Sequence, residues 1–310
     1  HFPVMLTEVV ENLEVTSGGR YIDCTLGEGG HSEAILEFSQ PGGQLLGLDA
    51  DHEAIIVSKN RLERFKNSSF LVNSYFSKVS DIAHELNFVP VHGALLDLGL
   101  SSLQLDFEER GFSFSDNNIL DMRFGLNNNL TAKRIVNEYS EIEISDIIYK
   151  FSQDPNSRVI AKAIIKSRPF NNSKELADLI SSVKLKVKRK HHPATLTFQA
   201  LRMAVNDEVE ELNKVLSDSF SLLGVGGRLA VISYHSTEDK IVKKFINEGL
   251  ITCKCPPLNL ECKCNITPSL KTINKKPITP TLEEINQNPR SRSAKLRVIE
   301  RIKWKKKCFS

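Results

Sequence analysis

The chain predicts an α/β protein, a parallel sheet with helices on both faces, interrupted by an inserted all-helical block. Three observations carry that prediction. Strand and helix patterns alternate through about the first hundred residues. An apolar strand ending at Asp23 runs into a glycine turn, Gly27-Glu28-Gly29-Gly30-His31, that opens a helix at Ser32. The alternation then stops for roughly a hundred residues and resumes only at Arg228.

In chain order, the spacing predicts a helix over 32–38, a strand over 44–49, a helix over 52–62, a strand over 70–73, a helix over 76–86 and a strand over 94–98. A βαβαβαβ order of this kind places its strands side by side in parallel. Polar loops at 113–118 and 127–129 then separate helical patterns over 143–151, 158–166 and 174–183. A long helix over 197–216 is expected to lead back into the sheet, where 228–233 forms a strand behind Gly224-Val225-Gly226-Gly227. The last strand, 295–302, is expected as an edge beside 228–233, and 254–274, rich in Pro, Cys and Asn, as an irregular flap. The domains expected are thus 1–106 and 197–310 for the sheet, with 107–196 as the helical insert.

At 310 residues, 40% hydrophobic and 25% charged, the composition is that of a soluble globular protein with a sizeable core. No apolar run approaches the ~20 residues of a membrane span. His1-Phe2-Pro3-Val4-Met5-Leu6 has neither a charged n-region nor an initiating Met and reads as a slightly trimmed start, not a signal peptide. Net charge is only +3, but Lys184, Lys186, Lys188, Arg189 and Lys190 form one basic run. Arg290, Arg292, Lys295, Arg297, Arg301, Lys303, Lys305, Lys306 and Lys307 gather near the C-terminus. Such segments serve either as contacts to a phosphate backbone or as solvated surface. Cys253, Cys255, Cys262 and Cys264 make two C-x-C pairs, which bracket one residue where zinc ribbons bracket two or more. Reduced thiols and a cytoplasmic location are expected; four clustered cysteines could hold a zinc ion, but no metal is the favoured reading.

In an open parallel sheet, ligands bind beyond the carboxyl ends of the strands. That rule selects 27–31, Asp49, 73–76, 97–102 and 233–238. Asp49 is placed to grip ribose hydroxyls, or else to cap the helix that follows. Phe76 lies either against an adenine face or in the core. Asp97 ends an apolar strand, where a carboxylate needs a partner, which favours a functional role. Arg, Gly and aromatic residues at 110–114, with 120–123 following, suit an RNA-contacting loop whose rings stack on bases, or a packed turn. Gln199, Arg202 and Asn206 share one helical stripe facing substrate or solvent. Arg158, Lys162 and Lys166 form a cationic ridge that reads as a solvated face. His235 is either a catalytic or base-binding group or an orienting hydrogen-bond partner in its loop.

The chain resembles the bacterial 16S ribosomal RNA cytosine-N4 methyltransferase family (RsmH, also called MraW). The likeness rests on His1-Phe2-Pro3-Val4, Asp23-Cys24-Thr25-Leu26-Gly27-Glu28-Gly29-Gly30-His31-Ser32, Asp97-Leu98-Gly99-Leu100-Ser101-Ser102 and Gln104-Leu105-Asp106. It continues through Arg110-Gly111-Phe112-Ser113-Phe114, Leu120-Asp121-Met122-Arg123, Phe198-Gln199-Ala200-Leu201-Arg202 and Val205-Asn206-Asp207-Glu208. Ile232-Ser233-Tyr234-His235-Ser236 and Asn288-Pro289-Arg290-Ser291-Arg292-Ser293 complete it. Thr237 and Lys240 depart from the family's common Leu and Arg. The resemblance implies a class I, Rossmann-like S-adenosylmethionine-dependent methyltransferase domain with a helical insert that helps recognise substrate. It maps S-adenosylmethionine contacts to Gly29, Gly30, His31, Asp49, Phe76, Asp97 and Gln104. It implies 16S ribosomal RNA, or the small ribosomal subunit, as partner; the oligomeric state is not readable.

Cytosine N4 is a weak nucleophile, so catalysis must align it with the donor methyl and accept its protons. The residues expected to do so are Asp97 with Ser101 or Ser102, while Asn206 or His235 fixes the base or helps remove the proton. Two rival readings are a nicotinamide dehydrogenase, opposed by G-x-G-G-H in place of G-x-G-x-x-G, and a noncatalytic RNA-binding protein. A zinc cytidine deaminase is excluded, because no H-x-E pairs with P-C-x-x-C.

Overall fold

The computed structural model describes residues 3–99, 110–113, 118–125, 129–184, 192–252 and 266–303. The chain divides into two units, His1–Gly99 with Glu211–Ser310, and Leu100–Glu210. It runs α1 (Leu6–Asn12), β1 (Arg20–Asp23), α2 (Gly30–Phe38), β2 (Gln44–Asp49), α3 (His52–Arg61), β3 (Ser69–Asn73), α4 (Val79–Glu85) and β4 (Val91–Asp97). Helices α5 (Ala132–Glu138), α6 (Glu141–Ser152), α7 (Ser157–Ser167), α8 (Ser173–Val183) and α9 (Thr195–Val205) follow. Then come α10 (Glu208–Leu222), β5 (Leu223–Ser233), α11 (Ser236–Gly249), β6 (Leu270–Thr272), α12 (Leu282–Gln287) and β7 (Lys295–Arg301).

Seven strands form one sheet in the order β3-β2-β1-β4-β5-β7-β6. Strands β1 to β5 pair in parallel, and β7 runs antiparallel to both β5 and β6. Successive strand residues point to opposite faces, and both faces are apolar, which is why the strands read as nearly continuous hydrophobic runs. Ile22, Leu46, Leu96 and Val231 pack on one side with Val79 of α4, Leu216 of α10 and Val242 of α11. Tyr21, Leu45, Leu95 and Ala230 pack on the other with Val9 of α1, Ile35 of α2 and Ile55 of α3. The strand order reverses between β1 and β4, and a crevice opens beyond the carboxyl ends of strands at such a switch point.

The helical unit has its own core, built from Ile135, Ile148, Ile164, Leu176 and Ile180 with Phe198, Leu201 and Val205 of α9. Its helix starts are locally encoded. Ser140 and Glu143 form a reciprocal capping box on α6, and the Asn172 side chain accepts from Glu175 N at the start of α8. Lys184 Nζ, buried 2.5 Å from Asp154 Oδ2, also donates to the carbonyl of Pro193.

Four expectations are corrected. The long helix over 197–216 is two helices, broken where Asn206 caps α9 and Asp207 takes φ 47°. Residues 197–210 accordingly fall in the helical unit, because α9 contributes to that core. Gly224–Gly227 is a bulge inside β5, not a turn before it: Val91 pairs with Leu223, and the register then jumps to Gly93 with Arg228. The closing strand lies inside the sheet, since β6 takes the edge from within the stretch expected to be irregular. Cys253, Cys255, Cys262, Cys264 and the run 185–190 lie outside the described residues.

Candidate active site

Asp23, the last residue of β1, is 1% exposed and accepts from Ser32 Oγ at 2.7 Å and Thr25 N at 3.1 Å. Burial pushes its carboxyl up, against the pull of those donors and of His31. The turn after it depends on glycine. Gly27 has φ 51° and Gly29, which caps α2, has φ 77°. Ser58 Oγ donates to Gly27 O at 2.6 Å, and a Cβ on Gly29 would meet that hydroxyl at 3.2 Å. A Cβ on Gly30 would strike Pro3 Cγ at 2.4 Å, so the N-terminal segment lies against the turn. That segment is tied at two points. Met5 N donates to Glu284 Oε1 at 2.7 Å, and His31 Nε2 donates to Val4 O at 2.9 Å.

At the end of β2, Asp49 Oδ2 accepts from Gly27 N and Oδ1 from Asp51 N, each at 2.8 Å. Burial raises its carboxyl to about 6 despite both donors. The helix cap that Asp49 might have supplied comes instead from Asp51, which accepts from Glu53 N. Asn73 Nδ2 donates to Asp49 O at 2.9 Å. Phe76 starts a 3-10 turn ahead of α4 and packs, half-buried, on the core face shared by α4, α10 and α11.

Asp97 ends β4 beside the switch point. Its N–H donates to Thr25 Oγ1 at 2.7 Å, which ties it to the glycine turn. Oδ1 accepts from the Tyr234 phenol at 2.8 Å. Oδ2 lies 3.7 Å from His31 Nδ1, beyond hydrogen-bond reach. Because His31 Nε2 donates to Val4 O, Nδ1 of the neutral ring carries the lone pair. Burial raises the Asp97 carboxyl to about 6, opposed by His31 and the Tyr234 hydrogen bond and reinforced by Asp23 and Glu238.

His235 is the N-cap of α11. Its Nδ1 accepts from Glu238 N at 3.4 Å, and Glu238 Oε2 accepts from Tyr234 N at 2.8 Å and His235 N at 3.3 Å. His235 Nε2 sits 3.0 Å from Glu238 Oε1 without the alignment of a hydrogen bond. The strand-end rule takes in Tyr234 and Glu238 within 233–238 without giving either a role, and it leaves out Asp23. An acid ending an apolar strand was the available signal for Asp23, the same one that selected Asp97.

In the helical unit, one further expectation is corrected. Asn206 is 7% exposed and its amide is engaged throughout: Oδ1 accepts from Phe124 N, and Nδ2 donates to Met122 O and Arg202 O. Arg202, 8% exposed, forks onto both Glu208 oxygens at 2.6 and 2.9 Å. Arg202 and Asn206 therefore hold their own unit together and do not face solvent. Phe112 is likewise buried, stacked on Phe124 with centroids 5.9 Å apart, as in a packed turn. By contrast, Arg158, Lys162 and Lys166 are all exposed on α7 and meet no carboxylate among the described residues. Ser101, Ser102 and Gln104 lie outside the described residues, as does Phe114.

Sheet order, the glycine turn with its strand-end acids, and a helical insert ahead of β5 together define a Rossmann-like methyltransferase. The sequence profile of the MraW methylase family matches residues 1–302, and the chain belongs to that family. It is 53% identical over 305 residues to the "Ribosomal RNA small subunit methyltransferase H" of Dehalococcoides mccartyi, covering 97% of this chain and 86% of that one. The protein of the same name from Lawsonia intracellularis is 45% identical over 309 residues, with 97% and 99% covered. Among the described residues, no helix is long and apolar enough to cross a membrane.

Proposed function

We propose that this chain methylates the N4 amino group of a cytidine in the decoding region of 16S ribosomal RNA, using S-adenosylmethionine, in the cytoplasm. The observation that carries the reading is Asp97, a carboxylate at the switch point, one of whose oxygens has no donor within hydrogen-bond distance among the described residues. The cofactor fits the residues present. A Cβ on Gly27 would meet nothing nearer than Thr25 O at 3.9 Å, so the space beside the turn is open. No side chain caps α2, whose N-terminus suits a polar ligand group. Each Asp49 oxygen holds one backbone N–H and keeps a lone pair for a ribose hydroxyl.

Gly29, Gly30, His31, Asp49, Phe76 and Asp97 would hold the cofactor, with Gln104 from the sequence pattern. Bound, it supplies a methyl group activated by a sulfonium. The chain's own part is to hold the amino nitrogen in line and receive a proton at Asp97 Oδ2. A carboxyl raised toward neutrality is better matched to that task than an ordinary one. Ser101 or Ser102 would add a second acceptor. His235 fits an orienting role through its cap better than proton removal, and Asn206 fits neither role.

Exposed Arg158, Lys162 and Lys166, spaced by about 6 Å of helix rise, offer the helical unit's contact to RNA phosphates. The test supplies S-adenosylmethionine and immature small ribosomal subunits, then maps methylcytidine. The wild-type chain should methylate one cytidine at N4, and Asp97→Asn should lose roughly two orders of magnitude in rate. Normal cofactor binding with a wild-type rate in that variant would refute the role given to Asp97.

A further inference from the structure

We propose that Tyr234 is a positioning residue for methyl transfer: its phenol holds Asp97 Oδ1, so that Oδ2 is the oxygen presented to the amino group. This rests on the reading of Asp97 as the proton acceptor. The O–H donates to Oδ1 at 2.8 Å, across 137 residues of sequence. Tyr234 is itself fixed at both ends. Its backbone N–H donates to the buried Glu238 Oε2 at 2.8 Å, and its ring packs on the core face formed by α1, α2 and α3. The ring also needs Gly99, where an added Cβ would meet Tyr234 Cδ2 at 3.1 Å on a backbone with φ 111°.

A bare carboxylate on a strand end rotates about χ2, a broad torsion, and offers either oxygen. One strong donor on Oδ1 removes that freedom. With Thr25 Oγ1 accepting from Asp97 N, both the backbone and the side chain of Asp97 are then fixed before substrate arrives. Burial and the neighbouring acids hold the phenol well above its usual range, so it remains a donor at any working pH. The titratable groups facing Asp97 are His31 on α2, Asp23 on β1, Glu238 on α11 and Tyr234. Of these, Tyr234 is the one whose donor can be deleted while its ring is kept.

The experiment compares wild type, Tyr234→Phe and Asp97→Asn as full-length chains, on immature small subunits with saturating S-adenosylmethionine, across pH. Calorimetry with S-adenosylmethionine reports the cofactor site. Tyr234→Phe should bind cofactor within about twofold of wild type and lose roughly ten- to a hundredfold in kcat, the scale of one hydrogen bond to a charge. The acid limb of its pH–rate profile should move to higher pH, because a donor that stabilised the ionised carboxylate is gone. A wild-type rate and profile in Tyr234→Phe, with Asp97→Asn inactive, would overturn this role and leave the acceptor reading standing. So would a slower Tyr234→Phe whose acid limb has not moved, since packing alone would then explain the loss. A wild-type rate in Asp97→Asn would remove the acceptor reading, and this inference with it.

Discussion

Replacing Asp97 by Asn should make the protein more stable at neutral pH while slowing methyl transfer by roughly two orders of magnitude. In the folded chain the Asp97 carboxyl is raised from 3.8 to about 6, chiefly by burial. A raised carboxyl means the native state binds more protons than the unfolded chain between those values, so stability falls as pH rises through that window. The contribution is whole below about pH 4 and lost above about pH 6. A shift of this size corresponds to ~3 kcal/mol. The side chain keeps 23% of its surface in contact with water, which screens part of the cost. We therefore expect about 1–2 kcal/mol of stabilisation in Asp97→Asn near pH 8. Asn retains an Oδ1 for the Tyr234 hydroxyl, so the 2.8 Å hydrogen bond survives the change. Urea midpoints of the two cofactor-free proteins near pH 8 and about pH 4.5 read the effect, since among the described residues only His31, Asp23, Glu238 and Tyr234 face Asp97 and feel the lost charge. A variant less stable near pH 8, or one with equal gain at both pH values, would refute the assignment of burial as the cause.

Gly29→Ala places a side chain at φ 77°, against Ser58 Oγ, which itself holds the turn. It should cost about 1–2 kcal/mol and weaken S-adenosylmethionine roughly tenfold by calorimetry; an unchanged Kd would count against the turn as cofactor site. Asn206→Ala removes three hydrogen bonds inside the helical unit and should lower stability by about 2–3 kcal/mol in urea, with cofactor affinity unaltered. Reversing charge at Arg158, Lys162 and Lys166 together should weaken binding to ribosomal RNA and reduce its salt slope by about 2–3, with thermal stability nearly unchanged. A salt slope equal to wild type would place the RNA contact elsewhere.

The parts of this protein legible in its sequence are those whose signal is local. The glycine turn, with a strand before it and a helix after it, is written in consecutive residues, and Asp49 and Asp97 stand out as acids closing apolar runs. The helix break at Asn206 was hidden because Leu201, Val205, Val209 and Leu212 keep helical spacing across it. Polarity misled at Arg202 and Asn206, where buried partners satisfy groups that the sequence offers to solvent. Tyr234 falls in the selected stretch 233–238, but its role is hidden because its partner lies 137 residues away, a pairing that no short-range pattern encodes. Strand β6 has three residues, too few for any periodicity.

The bond from Met5 N to Glu284 reaches across 279 positions, and it secures the same N-terminal segment that rests on the glycine turn. During biosynthesis the turn and its His31–Val4 tie emerge early, yet the second tie, to Glu284, can form only 279 positions after Met5. At about 5–20 residues per second that interval is on the order of tens of seconds. Truncated translation products that end before α12 would thus carry the glycine turn with only one of the two ties on its N-terminal cover.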